Sequence, residues 1–346
     1  SALRSLCSQF VRSLHYVKLF SYDGIQSTLL TILFNILFLV FFHWGITGYI
    51  LATVLSDFCS VIFLFVVADL HKYVRFTKMD RELVRAMVRF SVPMIPTSLF
   101  WWIINVSDRY AVSAILGFDA NGLYTTAYKI PTMVSLVSTI FTEAWQMSAV
   151  TEKDSANRDE FFTRVFGALS SLLLLTCSVL VACSKLFMRV LVAQSYYESW
   201  RYIPILVVAT AFSCFANFLN SVYMVERKSI MSLLTVMSGA VINIVLNLLL
   251  IPPMGINGAA LATFVSYFVV FVMRAVTSRK YIRIAYKPVR LGLNLAILAV
   301  QCYIMISETA GWPLWMLGLL AAMAVVNLRP ILSVVKMFLR RPARQG

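Results

Sequence analysis

Hydrophobic and polar positions alternate along the chain on the scale of a lipid bilayer. A crossing needs about 20 mostly apolar residues. Ten runs meet that need: 25–43, 46–68, 90–116, 123–150, 165–183, 202–224, 230–251, 256–273, 291–306 and 312–328. No stretch between them is long enough for a soluble domain. Ahead of the first run, residues 1–20 have helical periodicity. Leu3, Leu6, Phe10, Val11, Leu14 and Val17 form one face, and Arg4, Ser8, Arg12, His15 and Lys18 the other. This pattern fits an interfacial helix, or the lower part of a helix whose upper part is missing. The predicted fold class is all-α and polytopic, with about ten transmembrane helices.

Composition agrees with that reading. Of 346 residues, 60% are hydrophobic and 13% charged, and the mean hydropathy is +0.82. A soluble domain carries about 25% charged residues, so this chain lacks a coat for water. Its charge is lopsided, with 30 Lys+Arg against 15 Asp+Glu. In a soluble chain such an excess would point to nucleic acid. Here 25 of the 30 cations fall before run 1 or after runs 2, 4, 6, 8 and 10. The opposite connections hold only Lys185, Arg189 and Arg201. That asymmetry places both ends in the cytoplasm and assigns the cations to lipid headgroups, with no nucleic-acid partner. Trp44, Trp200, Trp312 and Trp315 fall at the opposite, outer interface, as an aromatic belt would. The six cysteines lie without metal-ligand spacing and read as apolar packing residues, so neither metal nor disulfide is expected.

The chain also repeats itself. GITGYILATVLSDF at 45–58 and GINGAALATFVSYF at 255–268 share eight of fourteen positions at an offset of 210. Each copy enters runs 2 and 8, six apart, so the two repeats have the same orientation across the membrane. A repeat unit is then about six helices. This gives 1–69 as the end of an N-terminal lobe and 70–89 as a basic cytoplasmic linker. Residues 90–273 form a complete six-helix lobe, and 274–346 two further helices with a basic tail. On this count about four helices precede Ser1 in a longer parent. The small residues Gly48, Ala52 and Ser56, spaced by four, suit close helix packing.

Residues 107–131 read SDRYAVSAILGFDANGLYTTAYKIP. With the later GINGAALAT, this resembles the polysaccharide-transport branch of the multidrug/oligosaccharidyl-lipid/polysaccharide flippase superfamily, which includes O-antigen and exopolysaccharide repeat-unit flippases. The family pattern falls on Asp108, Arg109, Gly122, Tyr124 and Lys129. The resemblance implies a MATE-like two-lobe fold, with these ten helices matching helices 5–14 of fourteen and the N-terminal lobe incomplete. It also implies a lipid-linked oligosaccharide as substrate, and polysaccharide polymerase or assembly proteins as partners.

Ionisable residues inside a span cost on the order of 3 kcal/mol at mid-helix, so Asp57, Asp108, Arg109, Lys129 and Glu143 need reasons. Asp108 and Lys129 both fall in the outer part of their spans and can pair, holding the helices in register. That leaves Arg109 as an unmatched cation. It can snorkel to headgroups or, assisted by Lys129, draw a substrate pyrophosphate into the cavity between lobes. Asp57 lies near mid-membrane opposite no repeat counterpart, since position 267 is Tyr. It reads either as a protonated acid bonded to a neighbouring helix or as a site of H+ or Na+ coupling. Glu143 marks the inner interface. Pro93 and Pro96 bend run 3 and are candidates for a gating kink. Trp101, Trp102 and Asn105 follow them, where the rings could stack on sugars or pack in the core.

The leading expectation is a flippase for polyprenyl-pyrophosphate-linked repeat units at the inner (cytoplasmic) membrane, working by alternating access. It would use no catalytic residues and no cofactor beyond a coupling ion. A multidrug or metabolite antiporter and a peptidoglycan-precursor flippase are alternatives within the superfamily. A glycan polymerase or ligase is a further one, weakened by the short outer loops and by the ungrouped His15, His43 and His71. A non-transporting fragment is the last.

Overall fold

The computed structural model describes residues 1–14, 16–73, 80–151, 158–309 and 311–339. His15, part of the basic linker and the end of the basic tail lie outside these residues. The described chain is helical, with no strand among the described residues. Among the described residues, eight stretches are long and apolar enough to cross a membrane, and the apolar part of the last helix, Trp312–Leu328, is shorter. The chain divides into two compact units, Ser1–Arg85 and Ala86–Gly346.

The first unit contains α1 (Ala2–Ser13), α2 (Val17–Asn35) and α3 (Gly45–Val67). The helix expected over 1–20 stops at Ser13, and α2 begins at Val17, eight residues before its expected start. The two faces of α1 are buried unequally. Leu3 and Leu6 are exposed (57% and 68%), whereas Cys7, Ser8 and Val11 are buried. In a bilayer the apolar stripe meets lipid while the more polar face meets protein. A short π-helical segment, Ile36–Phe41, closes the approach to α3. Ser56 Oγ donates to the Ser27 carbonyl at 2.9 Å, and Thr31 Oγ1 donates to Ser56 Oγ at 2.8 Å. These hydroxyls join α2 to α3 without leaving a polar group to lipid.

The repeat is visible in the backbone. Gly45 and Gly255 both have positive φ, +54° and +59°, at the entry to their helices. In α3 the buried stripe is Gly48, Ala52, Ser56, Ser60 and Leu64. In α12 (Ile256–Thr277) the matching positions Gly258, Ala262, Ser266, Val270 and Arg274 are buried. Small side chains every four residues bring backbones close. A Cβ on Gly258 would lie 2.1 Å from the Leu250 carbonyl oxygen.

Residues 80–91 form α4 (Arg81–Ser91), capped by Asp80, whose carboxylate accepts from the backbone N–H of Glu82 at 2.9 Å. Pro93 then separates α4 from α5 (Met94–Leu116). Run 3 is thus two helices, and both prolines sit at the start of the second rather than inside a span. Pro93 caps α5 and Pro96 lies in its first turn, where a missing N–H leaves no bond broken. Run 4 is also divided. It gives α6 (Phe118–Ala127) and α7 (Thr132–Thr151), with a turn through Pro131 between them.

The remaining helices are α8 (Arg158–Ala182), the short α9 (Ser184–Leu191), α10 (Ile203–Val225), α11 (Ser229–Met254), α13 (Pro288–Ser307) and α14 (Trp312–Leu339). The core of the second unit gathers on α10, where Phe212, Phe215 and Phe218 pack against Phe166, Phe162, Trp145 and Phe271. Helices α13 and α14 pack on α8 and are joined by a reciprocal amide pair between Asn294 and Asn327 at 3.1 and 2.9 Å. Trp44 and Trp315 are exposed, but Trp200, expected in the same belt, is only 3% exposed. It lies under Lys185, whose ammonium is 4.2 Å from its ring.

Candidate functional site

Helices α5, α6, α11 and α12 each bring a polar residue to one depth. Asp108 lies eight residues before the end of α5 and Asn247 seven before the end of α11. Thr263 lies seven residues after the start of α12, and Tyr124 six after the start of α6. At 1.5 Å per residue, each sits about 9–12 Å inside the same end of the unit. Asp108 is 1% exposed. Its Oδ1 accepts from Asn243 Nδ2 at 2.9 Å and Asn247 Nδ2 at 2.6 Å. Its Oδ2 accepts from the Tyr124 hydroxyl at 2.8 Å and from Thr263 Oγ1.

Four neutral donors thus meet one carboxylate, which is how a charge can be held out of water without a counter-ion. Ser107 Oγ extends the network, donating to Asn243 Oδ1 at 2.5 Å. Asn247 Oδ1 is buried with no partner.

The ion pair expected between Asp108 and Lys129 does not form. Lys129 is exposed on the turn between α6 and α7, and hydroxyls and amides occupy the carboxylate. Arg109, one residue beyond Asp108, points another way. Its guanidinium lies 5.9 Å from the ring of Tyr128, and its Nε is buried without a hydrogen-bond partner. Tyr128 in turn packs beside Tyr124, ring centroids 5.9 Å apart.

One to two turns earlier on α5, Asn105 Oδ1 accepts from the Tyr267 hydroxyl at 3.0 Å. Trp101 packs against Tyr267 and under the guanidinium of Arg274, 5.6 Å away. The indole face proposed for sugars is therefore occupied by protein, whereas Trp102 is 56% exposed. Arg274, grouped by its place in the sequence with the loop cations, is fully buried on α12. Its Nε donates to Thr235 Oγ1 at 3.0 Å and its Nη1 to the Ala216 carbonyl at 2.8 Å.

In the first unit, Asp57 is not the solitary acid expected. Arg4 Nη1 lies 3.3 Å from Asp57 and Arg4 Nη2 lies 3.5 Å from Asp23. Asp23, on α2, is itself 1% exposed. A cavity of about 300 Å³ opens beside this group, lined by Arg4, Ser5, Ser8, Gln9 and Asp57 among others. Glu143, on α7, is exposed.

Sequence reasoning missed Asn243, Asn247 and Thr263 as partners of Asp108, and it missed Asp23 and Arg274 as buried charges. One signal was available. Two asparagines four residues apart within an apolar helix share a face and need a polar partner in the membrane.

Residues 5–146 match the family model described as polysaccharide biosynthesis protein, a span that contains Asp108, Arg109, Gly122, Tyr124 and Lys129. No curated protein sequence matches the chain. Among solved structures, a MATE crystal structure in the bent conformation is similar with a TM-score of 0.68 and 14% identity, over 86% of this chain and 67% of that one. The lipid II flippase MurJ, in an inward closed conformation, is similar with a TM-score of 0.57 and 13% identity, over 92% of this chain and 68% of that one. The family match thus covers residues 5–146, and as a whole the chain is a multi-pass membrane protein with the fold of MATE and MurJ.

Proposed function

We propose that the protein is a flippase of the multidrug/oligosaccharidyl-lipid/polysaccharide superfamily, moving polyprenyl-pyrophosphate-linked oligosaccharide repeat units across the cytoplasmic membrane by alternating access. The observation that carries this reading is the pairing of two unlike charges next to each other on α5. Asp108 is satisfied internally by four donors, whereas Arg109, resting on Tyr128, has an unused Nε. A guanidinium free of carboxylates suits the bidentate capture of pyrophosphate. Exposed Lys129 adds a second cation to recruit it.

Asp108 supplies the coupling site on this reading. If the amides of Asn243 and Asn247 turn, their oxygens, the carboxylate and Thr263 Oγ1 form the hard oxygen set that Na+ prefers. A proton on Asp108 is the competing occupant. With the basic connections on the cytoplasmic side, both ends of this chain face the cytoplasm. The activity belongs to the whole protein, since this chain spans about two thirds of the length of the MATE and MurJ structures it matches.

The test is accumulation of lipid-linked repeat units on the inner leaflet of cells that express only an Arg109→Glu variant of the full-length protein. Normal export from that variant overturns the reading. A multidrug antiporter is disfavoured by the same observation, because a cationic drug would meet Arg109 and Lys129.

A further inference from the structure

We propose that α4 is an anionic-lipid-binding helix that lies in the headgroup layer of the bilayer. The argument is independent of what the protein transports. At about 100° per residue, Arg81, Arg85 and Arg89 share one face of the helix, while Leu83, Val84, Met87 and Phe90 share the opposite one. No residue of α4 is buried, and Leu83, Met87 and Val88 are 57%, 60% and 54% exposed. A helix of eleven residues is marginal in water when nothing packs on it, so its apolar face needs a cover.

The neighbouring element says what that cover is. α5 is 23 residues long, about 34 Å at 1.5 Å per residue, and it spans the hydrocarbon by itself. Only Val92 and Pro93 separate α4 from it, so α4 starts at the membrane boundary with nothing left to cross. There Pro93 interrupts the helix. Laid along the surface, α4 buries its apolar stripe at the acyl boundary and holds its arginines at headgroup height, their stems covering the edge of the stripe. Three arginines against the single Glu82 select negative headgroups over neutral ones.

Hydrogen exchange of the full chain in nanodiscs tests this. One set contains phosphatidylcholine alone, the other equal parts phosphatidylcholine and phosphatidylglycerol. Amides of residues 81–91 should exchange more slowly in the anionic discs, on the order of fivefold per arginine engaged. Raising the salt should erase the difference. The double variant Arg85→Gln, Arg89→Gln should lose it too, with exchange in α11 and α12 unchanged as evidence of folding. Glu82→Gln should enlarge it, and Met87→Ser should speed exchange in both lipids. Equal exchange in the two lipids, or slowing that survives the double variant, overturns the proposal and assigns the protection to protein contact.

Discussion

Asn247 and Asn243, one turn apart on α11, both reach the same oxygen of Asp108, at 2.6 and 2.9 Å. This double donation makes a carboxylate between membrane helices tolerable, and it predicts how replacements rank. Asp108→Asn keeps one acceptor oxygen for the asparagines and gains an amide that Tyr124 or Thr263 can accept, so it should cost about 1 kcal/mol. Asp108→Leu strands several buried donors and should cost about 3 kcal/mol or more, since each orphan costs about 1–3 kcal/mol. Thermal unfolding of the purified protein in detergent separates them. If Asp108→Leu melts with the wild type, the hydrogen-bonded description of this site is wrong. If Asp108 is the coupling site proposed above, both variants should also lose ion dependence of transport.

The two copies of the repeat make a second prediction, because their equivalent glycines are crowded differently. A Cβ on Gly258 would meet the backbone of Leu250 at 2.1 Å, whereas on Gly48 it would meet the Phe38 Cβ at 3.0 Å. Backbone cannot yield as a side chain can, so Gly258→Ala should exceed the usual overpacking cost of about 1–3 kcal/mol and reduce yield of folded protein. Gly48→Ala should fall within that range. Gly292→Ala, with nothing within 4 Å of its new Cβ, should be neutral or stabilising by up to about 1 kcal/mol. Equal melting of the Gly258 and Gly48 variants would show that the close crossing of α11 and α12 is looser than these distances require.

Arg274 is the buried cation of α12, and its guanidinium ties four helices. It bonds Thr235 on α11 and the Ala216 carbonyl on α10, and it lies over Trp101 on α5. Lysine keeps the charge but not the fork, so Arg274→Lys should lose one of the two bonds and cost about 1–3 kcal/mol. Arg274→Ala removes the cation, takes a donor from both Thr235 Oγ1 and the Ala216 carbonyl, and leaves a void, for about 3–5 kcal/mol. Hydrogen exchange should show the loss in α10 and α12 first. A variant at this position that exchanges like wild type would reduce Arg274 to a bystander.

These sites show what could be read along the chain and what could not. Helix crossings were legible because lipid forces long apolar runs, but apolarity continues through Val92–Pro93 and through the turn ending at Pro131, so it hides the breaks. Asp108 stood out as an acid in a span. Its partners are hidden in the sequence, where Lys129 is the visible counter-charge, because neutral amides and hydroxyls can satisfy a carboxylate at low dielectric. Arg274 was grouped with loop cations because it follows Met273 at the edge of an apolar run, yet the helix continues to Thr277. Asp57 stands alone in its run because its partner Arg4 is 53 residues away in sequence. Contacts between distant helices leave no periodic trace; the spacing of Asn243 and Asn247 is the exception, because these two of the four partners of Asp108 lie on one helix.

The turn between α13 and α14 gives a pH-dependent prediction. Glu308 pairs with Lys185, whose ammonium also lies 4.2 Å from the Trp200 ring and 4.7 Å from the Trp312 ring. The hydrogen bond from Lys185, reinforced by its charge, holds the Glu308 carboxyl below its ordinary value of 4.5. A carboxyl lowered by folding stabilises the folded state above its unfolded pKa, and that contribution disappears as the pH falls through the folded value. Neutral pH therefore retains the full contribution, and acid removes it. Protonation should loosen Lys185 from Glu308 and change the surroundings of the two indoles. Tryptophan emission should then shift as the pH falls below about 4.5, on the acid side of an ordinary glutamate. Glu308→Gln should show the acid form's emission at neutral pH, with the remaining tryptophans unaltered. An acid shift of equal size in that variant would place its origin at another carboxylate and separate Lys185 from the response.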